Sequence, residues 1–152
     1  MNFRKLFPWG IRRLLKRIAD VPDMWNTLYR LKEQNITPKT IFDVGAFSGE
    51  WTRNCLKIFP DSNYYLFEAQ TDMADSLKMM ETDQIITENM FLGENDGTSL
   101  DFFEAGTSSS AFRFGPHTSI KKNTTSLDNY CRGNSINTID ILKLDVPVSY
   151  TH

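Results

Sequence analysis

An acid, two glycines and a second acid lie at a spacing that suits nucleotide chemistry. The run TIFDVGAFSGE over residues 40–50 is an apolar strand pattern that leads through Gly45 and Gly49 into a helix pattern. Glycine permits a left-handed turn and close approach of a ligand, and the new helix offers free N–H groups. We expect Gly49 to let that helix pack closely on the strand. Glu68 ends the next apolar run, and an acid about 20 residues after the glycine turn accepts hydrogen bonds from ribose hydroxyls. The spacing predicts a site for a ribose-bearing ligand.

The residue in the middle of the turn bears on which class of ligand the site can bind. The dinucleotide fingerprint GxGxxG requires glycine at position 47, where this chain has Phe47, whose bulk would crowd a pyrophosphate. The observed pattern is Asp43-x-Gly-x-x-x-Gly, and an anionic Asp43 suits a cationic ligand end, such as the sulfonium or amino group of S-adenosylmethionine. The alternative is that Asp43 and the glycines only shape a turn. An NAD(P)-binding oxidoreductase domain and a non-catalytic Rossmann-like binding module are the competing functional hypotheses.

The elements around this turn alternate between strand and helix. Strands are predicted at 40–44, 63–68 and 84–87, with helices between them at 50–58 and 71–80. That order implies parallel pairing with right-handed crossovers. Further elements are strands at 99–105, 119–125 and 139–146, a turn at 93–97, a short helix at 126–132, and N-terminal helices at 10–19 and 23–34, the second opened by an Asp23 N-cap.

These elements predict an α/β fold: a Rossmann-like, partial doubly wound, mostly parallel sheet of strand order 3-2-1-4, preceded by N-terminal helices. The predicted regions are a basic helical segment (1–36), the core (37–146) and a short tail (147–152). The run IDILKLDV within 139–146 is the fourth parallel strand and is predicted to be buried. At an edge it would carry apolar residues on both faces, so we also consider a homo-oligomer formed through this strand.

Five segments resemble, in order and spacing, the FkbM-type methyltransferases: IFDVGAFSGEWT, YYLFEAQ, ENMFLGENDGTSLDFFE, TTSLDNY and IDILKLDV. The resemblance spans about residues 38–146. It implies an S-adenosylmethionine-dependent O-methyltransferase that acts on a hydroxyl of a sugar, glycolipid or secondary metabolite, so the expected partner is a small-molecule or glycan substrate. Residues 147–152 depart from the family pattern, which indicates a C-terminally incomplete member and leaves open whether the chain is active alone.

The resemblance also assigns site residues. The turn residues Asp43, Gly45, Ala46, Phe47 and Gly49 would line the cofactor site, toward the methionine and ribose part. Glu68 would hold the ribose, and Asn89 would lie near the adenine. Asp145 would face the methyl-transfer pocket and is the candidate catalytic residue.

Two further side chains bear on the chemistry near Asp145. His117, in a polar loop, is a weaker candidate for the general base. Lys143 shares a strand face with Asp145, which predicts a salt bridge or a substrate contact, and we favour the structural role. The His, Cys and Asp residues show no metal-ligand spacing, so no metal is expected.

Composition excludes several classes of protein. The 152 residues carry a net charge of -2, which disfavours a nucleic-acid binder that relies on bulk positive charge. Cys55 and Cys131 are the two cysteines and form no CxxC pair, which favours a reducing compartment, and we expect a cytoplasmic protein.

Charge is unevenly distributed along the chain. Residues 1–34 hold eight Lys or Arg against three Asp or Glu, whereas residues 35–152 hold nine against sixteen. Apolar residues recur at helical spacing among the N-terminal basic residues, a pattern typical of peripheral contact with an anionic membrane. The alternative, which we favour, is a helix docked on the domain with a solvated basic face.

Overall fold

The computed structural model describes residues 23–103 and 119–145. The chain divides into two compact units, Met1–Thr37 and Pro38–His152. In the first unit, helix α1 (Met24–Glu33) begins at Asp23, whose side chain accepts a hydrogen bond from the Asn26 N–H at 2.8 Å. The predicted helix and its N-cap are thereby confirmed. The helix predicted at 10–19 lies outside the described residues, and so do both interpretations of its basic face, docking on the domain and membrane contact. No helix in the described ranges is long and apolar enough to cross a bilayer.

The second unit contains the remaining elements. In chain order they are β1 (Thr40–Val44), α2 (Glu50–Leu56), β2 (Asn63–Glu68), α3 (Thr71–Leu77) with a 3-10 turn (Lys78–Met80), β3 (Ile85–Asn89), β4 (Phe91–Leu92), β5 (Ser99–Phe103), β6 (Ser119–Thr125), α4 (Leu127–Gly133) and β7 (Ile141–Leu144). The main sheet is parallel with order β3-β2-β1-β7, and a smaller sheet has order β4-β6-β5. The α/β class is confirmed, and β7 takes the place predicted for the fourth parallel strand. The main sheet is compatible with a Rossmann-like fold.

The two faces of the main sheet are buried by different elements. Phe42, Val44 and Phe67 pack with Tyr130 of α4, and the rings of Phe67 and Tyr130 lie 4.8 Å apart, edge to face. Because side chains alternate along a strand, Asp43 points to the opposite face. Helix α2 reaches that face through Thr52, whose hydroxyl contacts the Asp43 carboxylate. A charged group is therefore built into a buried layer.

Strand β7 is shorter and more exposed than predicted. The prediction of a buried strand over 139–146 is wrong: the strand spans Ile141–Leu144, with Leu142 44% and Leu144 61% exposed. Within the described ranges β7 pairs with β1 on one side, which leaves its other side uncovered. Asp140, just before it, accepts hydrogen bonds from the N–H groups of Lys39 (2.7 Å) and Thr40 (2.9 Å). The homo-oligomer through this strand stays a prediction.

The smaller sheet shows what the sequence patterns missed. β6 matches the predicted strand at 119–125, and β5 falls within the predicted 99–105. The two-residue strand β4 was not predicted, since a dipeptide shows no periodicity. It aligns parallel to β6, where the Gly93 N–H donates to the Thr125 carbonyl at 3.0 Å. Strand β3 runs on to Asn89 rather than ending at 87, so Asn89 lies within the strand.

Candidate functional site

The predicted site residues meet at one edge of the main sheet. Because its strands are parallel, their carboxyl ends lie together, and open α/β sheets bind ligands outside this edge. The turn over residues 45–49 follows β1, Glu68 ends β2, Asn89 ends β3 and Asp145 follows β7. The topology therefore brings together residues that are up to 100 positions apart in the chain.

The turn itself is left-handed at three positions. Gly45 (φ 72°), Phe47 (φ 49°) and Gly49 (φ 72°) all have positive φ. The N–H groups of Gly45 and Ala46 donate to the Phe67 carbonyl at 2.9 and 3.0 Å, which ties the turn to the end of β2. Ala46 is buried, so its side chain faces the interior. Phe47 thus adopts a conformation that costs a non-glycine residue about 1 kcal/mol, at the position where the dinucleotide pattern has glycine.

The absence of a side chain at Gly49 leaves room for residues that the sequence did not indicate. A Cβ at this residue would lie 2.5 Å from the Met80 sulfur and 3.0 Å from Leu77 Cδ2. The atoms nearest to that Cβ position thus belong to α3 and its 3-10 extension. The neighbour lies some thirty residues further along the chain, so local spacing gave no sign of it.

Glu68 is joined directly to the glycine turn. One carboxylate oxygen, Oε2, accepts a hydrogen bond from the Phe47 N–H at 2.7 Å, and Oε1 accepts one from the Gln70 N–H at 2.8 Å. The side chain is buried, but an ionised carboxylate has about four acceptor positions. Each oxygen thus keeps capacity for one more donor. This geometry fits two adjacent hydroxyl donors, such as those of a ribose.

Asp43 has partners inside the protein. Its side chain is 0% exposed; Oδ2 accepts a hydrogen bond from Thr52 Oγ1 at 2.7 Å, and Oδ1 lies 2.8 Å from Lys143 Nζ. The same ammonium donates to the Gly45 carbonyl at 2.8 Å. A contact between Asp43 and a ligand cation stays a prediction, and Lys143 is the cation already beside it.

The remaining predicted residues flank the turn. Asn89 Nδ2 donates to the Glu68 carbonyl at 2.9 Å, which fastens the end of β3 to that of β2. The Asp145 side chain is 81% exposed, lies 3.8 Å from Lys143 Nζ and thereby forms the predicted salt bridge. Its N–H donates to the Val44 carbonyl at 3.0 Å, so the residue is anchored beside β1. His117 lies outside the described residues.

A scan of the chain against protein-family models gave no match, and neither did searches of curated proteins and of solved structures.

Two contacts at this edge of the sheet were not predicted from the sequence. Thr52 binds Asp43, and Lys122 of β6 reaches the end of β2, where its ammonium contacts the Ala69 carbonyl and lies 3.3 Å from Thr71 Oγ1. The Lys122 ammonium also lies 5.6 Å from the centre of the Phe102 ring. Both contacts depend on how separate elements align, and no spacing rule within one segment reveals them.

Among the described residues, the site has neither a reactive thiol nor a metal cluster beside it. Cys55 is buried near Asp43, and burial raises the pKa of its thiol to about 11. Because the thiolate is the nucleophile, a thiol with so high a pKa is inert near neutral pH. Within residues 23–103 and 119–145, no three His, Cys, Asp or Glu side chains gather as metal ligands would.

Proposed function

We propose that this chain is the cofactor-binding part of an S-adenosylmethionine-dependent methyltransferase. The observation that carries the proposal is the bond between Glu68 and the left-handed turn through the Phe47 N–H. It places a buried carboxylate with spare acceptor capacity at the carboxyl edge of a parallel sheet, where such folds hold nucleosides. Ribose hydroxyls fit that carboxylate.

The same bond weighs against a dinucleotide. A pyrophosphate is bound by free N–H groups in the turn and by the close approach of bare backbone. Here the Phe47 N–H is taken by Glu68, and the negative charge of that carboxylate lies beside the turn. Phe47 also places a half-buried aromatic side chain where backbone would have to be bare. A nucleoside ligand without phosphates meets neither obstacle.

The chemistry proposed is methyl transfer to a hydroxyl of a sugar, glycolipid or secondary metabolite. When bound, S-adenosylmethionine supplies a methyl group whose bond to sulfur breaks as the new carbon–oxygen bond forms. Glu68 would hold the ribose and so fix the attack geometry, which is a large source of rate. The acceptor hydroxyl loses its proton to the Asp145 carboxylate, which is exposed enough to pass that proton on to water.

Calorimetric titration with S-adenosylhomocysteine tests the proposal. We expect binding by the wild-type chain, and roughly tenfold to hundredfold weaker binding by Glu68→Gln, since a hydrogen bond to a charged acceptor contributes about 1.5–3 kcal/mol. Glu94→Gln, the same change at an exposed residue, serves as the matched control and should bind as wild type does.

Two outcomes would overturn the proposal. One is the absence of binding by a wild-type chain whose circular dichroism shows it to be folded. The other is thermal protection by nicotinamide dinucleotides without protection by S-adenosylhomocysteine, which would favour the oxidoreductase.

A further inference from the structure

The glycine turn is hydrogen-bonded to side chains of both strands that neighbour β1. On one side, Glu68 of β2 accepts the Phe47 N–H at 2.7 Å; on the other, Lys143 of β7 donates to the Gly45 carbonyl at 2.8 Å. The strand order β2-β1-β7 puts these two contacts on opposite flanks of β1. We infer that Lys143 is a positioning residue that sets the conformation of the turn, and that the proposed cofactor site depends on it.

The Lys143 ammonium contacts two groups, the Asp43 carboxylate and the Gly45 carbonyl. Asp43 is fully buried, and a buried carboxylate needs a paired cation. The Gly45 carbonyl belongs to a residue with a left-handed φ of 72° and accepts a hydrogen bond from the lysine. Lys143 is 12% exposed; its ammonium donates a hydrogen bond to the Gly45 carbonyl and forms an ion pair with Asp43 Oδ1, at 2.8 Å each. The exposed Asp145, 3.8 Å away, is the weaker and solvent-screened partner.

The competing explanation is that Lys143 only neutralises Asp43. A double variant in which both residues are uncharged distinguishes neutralisation of Asp43 from positioning of the turn. Lys143→Met leaves Asp43 charged and unpaired in the interior, so either role predicts a loss of stability. Asp43→Asn with Lys143→Met removes both charges while Thr52 can still donate to the new amide oxygen, and replacing a buried ion pair by uncharged groups is often neutral. The double variant lacks the donor to Gly45, however.

The measurement combines urea unfolding with amide hydrogen exchange in the turn, on the full chain without ligand. We expect Lys143→Met to lower the urea midpoint and the double variant to recover most of it. The amides of Phe47 and Gly49, whose hydrogen bonds close the turn, should exchange roughly tenfold to hundredfold faster in both variants, the factor that corresponds to losing a hydrogen bond from a charged donor. Asp43→Asn alone keeps the lysine and should keep slow exchange at these two amides.

Wild-type exchange rates at Phe47 and Gly49 in the double variant would overturn the inference and leave Lys143 as a counter-charge. If Lys143→Met does not fold, the double variant and Asp43→Asn still decide. The inference rests on the proposed function only in naming the ligand that the turn serves. Because the exchange experiment uses no ligand, a wild-type chain that binds no S-adenosylhomocysteine would refute the proposed function and leave the exchange result standing.

Discussion

Replacing Gly49 by alanine should destabilise the fold through two separable costs. The residue has φ of 72°, and a left-handed backbone costs a side-chain-bearing residue about 1–2 kcal/mol. The added Cβ would also lie 2.5 Å from Met80 Sδ and 3.0 Å from Leu77 Cδ2, and overpacking costs about 1–3 kcal/mol. The sulfur belongs to a flexible side chain, so the contact cost falls in the lower half of that range. We expect a total near 3 kcal/mol, from the sum of the two costs.

Two other glycines provide matched controls. Gly97 has φ of 70° but no heavy atom within 4 Å of an added Cβ, so Gly97→Ala carries the backbone cost alone, about 1–2 kcal/mol. Gly133, at the end of α4, has neither constraint, and Gly133→Ala should be neutral or slightly stabilising. The entropy that alanine removes from the unfolded chain is common to all three variants and cancels in their differences.

Urea unfolding followed by tryptophan fluorescence measures these differences, since the buried Trp51 lies in α2 just after the turn. Met80→Ala in the Gly49→Ala background should recover part of the loss, because it removes the atom that the new Cβ meets. Equal losses in Gly49→Ala and Gly97→Ala, or no recovery on shortening Met80, would refute the argument that α3 and its extension press against the turn.

Two more outcomes follow from buried titratable groups. Burial and the nearby Glu88 raise the pKa of Tyr130 above its ordinary value near 10. Above about pH 10 the unfolded chain loses a proton that the folded chain keeps. The contribution of Tyr130 to the free energy of unfolding should therefore be complete below about pH 10 and fall above it. Tyr130→Phe should flatten that fall in urea midpoints between pH 10 and 12, and equal slopes would speak against it. Cys55, with a pKa of about 11, should resist iodoacetamide at pH 8 until urea unfolds the chain, whereas the half-buried Cys131 reacts first, as peptide mass spectrometry would show; equal labelling rates would contradict this.

Local signals were enough for much of the fold. The N-cap Asp23, strands β1 and β2 and the glycine turn were predicted because each depends on residues close together in the chain. Glu68 fell at the end of β2 for the same reason. What failed depends on alignment between distant elements. The two-residue β4 is defined by its pairing with β6. Leu144 is 61% exposed in β7, which within the described residues pairs with β1 on one side.

In the site too, features that depend on local sequence were predicted and features that depend on distant elements were not. Spacing placed Glu68 beside the turn, since both follow from consecutive strands. The partner of Asp43 was missed, because it is the strand register of β1 against β7 that sets Lys143 opposite it. Asp43 was predicted to suit a cationic ligand end; on the strand face that helix α2 covers, it already has Lys143 as an internal cation.

The pairing of β1 with β7 also orders events during synthesis. Asp140 binds the N–H groups of Lys39 and Thr40, a closure of about 100 residues, and distant pairings of this kind form late and slowly. Until residue 143 has been synthesised, Asp43 lacks Lys143, its counter-ion among the described residues, and β1 lacks one of its two neighbours. Strand β1 therefore gains its β7 neighbour only when almost the last described residue has been synthesised.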